Sequence, residues 1–224
     1  MVMSFFRRGE SGLDLVAQRT VTMLGDARHS FDLACGAVLG GTSPESVAED
    51  IRETDDRINR TEQELRGELV THAAVHGTME IGSILSYTLL IKKIERIGDQ
   101  AKNILDLAEE GVSLEGQADT EAMLEIRRQI SSMMAETAEL LTSEDTDDIA
   151  DFRDRCDSLR HDLESQIREY MHSQEPGVHA VPRAILYRYW KRIVANLNGV
   201  VTSATEPLQH QDYLDEGRTD ITDD

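Results

Sequence analysis

Apolar residues recur every three or four positions through most of the chain, the period of helices that bury one stripe and give the rest to water. The clearest run is Ile91 to Ala108, where Ile94, Ile97, Ala101, Ile104 and Ala108 share one line. A first helix carries Leu13, Val16, Met23, Phe31 and Val38 at the same spacing, with Ser11 as its cap, Asp14 in its first turn, and Gly40-Gly41 as its stop. Ser43-Pro44-Glu45 opens a second helix with a capping hydroxyl, a proline at the first helical position and an acid in the first turn; it is expected to run to about His72. His76-Gly77 breaks the pattern, and a third helix is expected from Thr78 to Glu110.

The glycine- and serine-broken stretch Gly111 to Ala118 divides the chain. Beyond it, Asp119 is placed to cap a fourth helix filled with methionine (Met123, Met133, Met134), and Thr146 starts a fifth that ends near His172. Pro176-Gly177 turns the chain into a sixth helix, Val178 to Ala204, which Glu206-Pro207 ends. The expected layout is therefore all-α, with an N-terminal segment 1–10, a three-helix bundle 11–113, a second bundle 117–206 and an acidic flexible tail 207–224.

Composition supports helices and narrows the partners. Aromatic residues are 4% of the 224, too few for a strand-rich core. The 43 acids against 23 bases leave a net charge of −20, which repels phosphate backbones and anionic lipid and favours cations and basic protein patches. Nucleic acid and direct membrane insertion are therefore not expected. Two cysteines, Cys35 and Cys156, sit inside apolar-periodic segments and read as free core thiols in a reducing compartment. With no export signal and no membrane-spanning run, the expectation is a cytoplasmic protein.

The acids have positions as well as number. Glu95 and Asp99 sit four residues apart and project from one side of the third helix, with Gly98 leaving a notch between them. Asp55, Asn59 and Glu62 make a line of oxygens on the second helix, by itself more typical of a solvated face. Oxygen donors from two facing helices suit a cation, with magnesium, manganese, iron and zinc all open. The alternative is pairing of Glu95 and Asp99 with Lys92, Arg96 or Lys102 on their own helix. His29, three residues after Asp26, reads as a surface or core histidine. Glu169 and His172 have the ExxH spacing of di-iron carboxylate bundles, but that site needs a second ExxH helix, and none is found.

Three helices, a break and three more suggest an internal duplication. An offset of 101 sets Ile51 on Phe152 and Ile58 on Leu159, and an offset of 96 sets Arg96-Ile97 on Arg192-Ile193. The hydrophobic skeleton repeats, but the oxygens do not: Asp55 meets Cys156, Asn59 meets Arg160, Glu95 meets Lys191 and Asp99 meets Ala195. One site of this kind per chain is the expectation.

Glu95-Arg96-Ile97-Gly98-Asp99, followed by Ala101 and Asn103-Ile104, resembles the ERIGDxAxNI motif of the PhoU family of phosphate-signalling proteins, and Tyr187 to Ile193 resembles a degenerate copy. The resemblance implies two three-helix bundles and a non-enzymatic negative regulator that contacts a phosphate-transporter ATPase and a membrane sensor histidine kinase. It also implies metal binding through Glu95 and Asp99, with Asp55 and Asn59 facing them. Open alternatives are a regulator of a different phosphate symporter, a homodimer among the partners and, from another class, a di-iron bundle. No catalytic nucleophile with a matching base and no phosphate-cradling glycine loop is found.

Overall fold

The computed structural model describes residues 12–141 and 146–206, and those residues form α1 (Gly12–Leu39), α2 (Pro44–His76), a 3₁₀ turn (Gly77–Glu80), α3 (Ile81–Glu109), α4 (Thr120–Leu140), α5 (Thr146–His172) and α6 (Gly177–Thr205). The fold is all-α, two bundles of three helices. Ser11 as a cap, the segment 1–10 and the tail 207–224 lie outside the described residues.

Helix α1 ends where the sequence places its stop, because Gly41 takes φ of 68°, a conformation side chains resist. Pro44 then occupies the first helical position of α2 and Ser43 the cap position, but the serine hydroxyl turns to the Glu45 carboxylate and not to the free amides. Helix α2 continues a full turn past His72 to His76, since nothing in His72-Ala73-Ala74-Val75 opposes helix. Gly77, at φ of 71°, breaks it and feeds the 3₁₀ turn. Helix α3 is therefore 29 residues long and starts at Ile81, later than the apolar spacing suggests.

The stripe Ile94, Ile97, Ala101 and Ile104 is wholly buried. It lies at the middle of the molecule, because α3 packs on both α1 and α2 and then against α6 of the second half. The corresponding pair α1 and α4 makes the other contact between halves, while α5 lies along α6. Gly98 allows the close approach of α2 and α3: a Cβ there would stand 3.0 Å from Ile58 Cδ1. Met123, Met133 and Met134 fill the core, as do the two free thiols of Cys35 and Cys156. Burial pushes both thiols up to about 12.

The glycine-rich break between halves is tied down. Leu114 is buried and its N–H donates to Val38 O at 2.8 Å, while the Thr120 hydroxyl donates back to Leu114 O. Asp119 stands at the cap position of α4 without capping it, because its carboxylate is taken by Arg183 of α6 and by the Tyr170 hydroxyl of α5. Repetition extends to the surface: Val70 and Met171, one offset of 101 apart, are both exposed, as are Leu85 and Val181 at an offset of 96. Among the described residues no helix is long and apolar enough to cross a membrane.

Candidate metal centre

Helices α2 and α3 form an antiparallel hairpin, and the oxygens read from the sequence lie along its inner edge. Asp55 and Glu95 are each 8% exposed, Asn59 and Asp99 half-buried. Their proximity is felt at Asp99, whose carboxyl is pushed above the usual range by burial first, then by the charges of Glu95 and Asp55. The structure thus brings Asp55, Glu95 and Asp99 into one electrostatic unit. Asn59 joins through its amide nitrogen, which donates to Asp55 Oδ2 at 3.3 Å.

Lysines neutralise part of this cleft. Lys92 Nζ lies 2.6 Å from Glu95 Oε2 on its own helix and 3.6 Å from Glu62 Oε1 across the hairpin. Lys102 Nζ lies 3.4 Å from Asp55 Oδ2. Same-helix pairing, the plain alternative for Glu95, is therefore present, whereas Asp99 enters no hydrogen bond or ion pair among the described residues. Both lysines are more than a third exposed, so their flexible stems can swing the ammonium into water.

The oxygens left behind fit a metal ion. Glu95 Oε2 and Glu62 Oε1 are shut off from solvent and accept no directed hydrogen bond, and the cations beside them are Lys92 for both and Arg66 at 2.7 Å from Glu62. Buried carboxylate oxygens without a directed donor are costly unless a cation meets them. Carboxylate and carbonyl donors suit hard ions first and borderline ions next.

The second bundle has closed the equivalent place. Lys191, at the position of Glu95, donates from Nζ to Glu164 Oε2 at 2.6 Å, and Asn198 Nδ2 donates to Asp157 Oδ1 at 3.3 Å. Glu169 and His172 are both exposed on α5. His29 lies 2.9 Å from Asp50 Oδ2 on the surface, while Asp26 accepts two hydrogen bonds from Arg57.

A ligand group that the sequence reading missed stands at the far end of the hairpin. His72, His76 and Glu80 each present one ligand atom, all within 4.8 Å of one another, and they are the one such group among the described residues. His72 Nε2 and Glu80 Oε2 are hydrogen-bonded, and the two imidazoles stack with centroids 4.1 Å apart at 19°. The bond from His72 holds the Glu80 carboxyl below its usual range. These three groups can hold a metal ion. Their signal is a spacing of four, four in HAAVHGTME, hidden because it crosses the helix end at Gly77.

Residues 20–108, which contain both ligand groups, match the PhoU domain family. That segment is similar to the PhoU domain, over 89 of the 224 residues. The fold agrees: the crystal structure of PhoU from Pseudomonas aeruginosa is 21% identical, with 86% of this chain and 95% of that one covered at a TM-score of 0.74. The phosphate transport system regulatory protein PhoU from Streptococcus pneumoniae is 16% identical, with 87% and 95% covered at a TM-score of 0.67. No curated protein matches the chain. The PhoU match ends at residue 108, and the second bundle, where Lys191 and Ala195 replace the acids, lies outside it.

Proposed function

We propose that this protein is a cytoplasmic, non-enzymatic regulator of phosphate uptake and phosphate-responsive two-component signalling, working by contact with a phosphate-transporter ATPase, a sensor histidine kinase or both. The observation that carries this reading is the coincidence of the PhoU match, residues 20–108, with the acid cleft of α2 and α3. Glu95, Asp99, Asp55 and Asn59 hold the metal in this reading, and the buried oxygen of Glu62, which faces Arg66 and Lys92, makes it a fifth candidate. A bound ion would cancel the repulsion within the cleft and tie α2 to α3, making the hairpin's shape responsive to the ion.

The test is a capture experiment from phosphate-replete cells with the full chain as bait, alongside elemental analysis of the purified protein. Recovery of the transporter ATPase or the kinase, weakened by Glu95→Gln with Asp99→Asn, supports the proposal. Recovery of neither sinks it, and recovery of a phosphate symporter instead assigns the regulator to that carrier.

A further inference from the structure

The acid cleft lies on the middle of α2, and His72 follows Asp55 by seventeen residues, about 25 Å along the helix. His72, His76 and Glu80 are therefore a separate centre. We propose that they bind a borderline divalent ion of the zinc type, fixing the 3₁₀ turn against the end of α2.

Local geometry brings these side chains together. His72 and His76 project from one face of the last turns of α2, since residues four apart are neighbours there. Gly77 then redirects the backbone, its N–H returning to Ala73 O, and the short 3₁₀ turn carries Glu80 back over that face. His72 is 9% exposed, so its ring is held by packing as well as by Glu80. His76 is exposed, and its ring stacks nearly parallel on that of His72.

The donor set defines the ion. Two imidazole nitrogens and one carboxylate oxygen suit zinc, cobalt, nickel or iron, while magnesium and calcium prefer all-oxygen surroundings. Three protein ligands leave room for water or for a donor from a partner. The second bundle has no counterpart: Ser173 stands at the position of His72 and Pro176 at that of Glu80, and the path between them is five residues shorter than from His72 to Glu80, leaving no position for His76. The centre thus marks one hairpin tip of the pair.

The test uses the full chain, tag-free and stripped of metal, titrated with cobalt(II) and zinc(II). Expected is a cobalt d–d absorption band, displaced by zinc, that His76→Ala weakens by at least about tenfold in affinity. Because His76 is exposed, that variant should fold as the parent does, which circular dichroism checks. Glu80→Gln should weaken the band as well, and Glu95→Gln with Asp99→Asn should leave it in place. A band unchanged in His76→Ala, or one lost only with the cleft variant, overturns the proposal. So does tighter binding of magnesium than of zinc at the histidine-dependent site.

Discussion

Arg183 of α6 holds Asp119, the residue before α4, through two parallel hydrogen bonds, Nε to Oδ2 at 2.7 Å and Nη2 to Oδ1 at 2.9 Å. The guanidinium is nearly buried and the Tyr170 hydroxyl adds a third donor at 3.0 Å, so one carboxylate ties the start of α4 to both α5 and α6. Arg183→Ala leaves that carboxylate without its fork and should cost roughly 1–3 kcal/mol in urea unfolding. Arg183→Lys should recover little, because an ammonium cannot reproduce two parallel bonds. Equal stability of Lys and Arg at this position would show that charge alone suffices.

The same clamp gives a pH dependence of known sign. Arg183 first, then Tyr170, holds the Asp119 carboxyl below its usual range. A depressed acid contributes stability above its unfolded pKa and loses it as pH falls through the folded one. The difference in stability between the parent and Asp119→Asn should be full at pH 7 and should shrink below about pH 4. A difference that persists unchanged to pH 2 would assign it to packing.

Cys35 and Cys156 are buried with thiols pushed up to about 12, so almost no thiolate exists at neutral pH. A thiol reagent should label neither in the folded protein and both after denaturation. Fast labelling of one would mean that its helix opens locally.

Which parts of this architecture are legible in the sequence depends on the range of the physics. The helical stripes, the Gly40-Gly41 stop and the Pro44 start follow from local sterics, and the structure keeps them. Asp119 reads as a cap by the same local rules, yet its carboxylate is claimed by Arg183, 64 residues away, a competitor that no local spacing reveals. The histidine centre hides for a related reason: Glu80 joins His72 and His76 only after the chain turns at Gly77. In the acid cleft the sequence shows which residues share a helix face. It offers Lys92 as a same-helix partner of Glu95, but not the reach of Lys92 to Glu62 and of Lys102 to Asp55 across the hairpin.

Gly98 tests how closely α2 and α3 must approach. Gly98→Ala gains up to about 1 kcal/mol of helix propensity. Its methyl would stand 3.0 Å from Ile58 Cδ1, and Ile58 is 1% exposed with little room to yield. Overpacking costs about 1–3 kcal/mol, so the net change should be destabilising by about 1 kcal/mol. Ile58→Val removes the offending carbon and should make Gly98→Ala neutral or stabilising in that background.

Asp99 separates the cost of the cleft from its use. Ionised Asp99 sits among Glu95 and Asp55 with its pKa raised, so its charge opposes folding while no metal is bound. Asp99→Asn keeps the shape and removes the charge, relieving an i,i+4 like-charge pair worth about 0.2–0.5 kcal/mol. In metal-stripped protein the variant should melt about 1 °C higher than the parent at pH 7. On adding a divalent cation the order should reverse, because only the parent keeps the ligand and gains stability by binding. A variant that is less stable without metal, or that responds to cations as the parent does, would leave Asp99 as an ordinary surface acid and move the cleft's chemistry to Glu95 and Glu62.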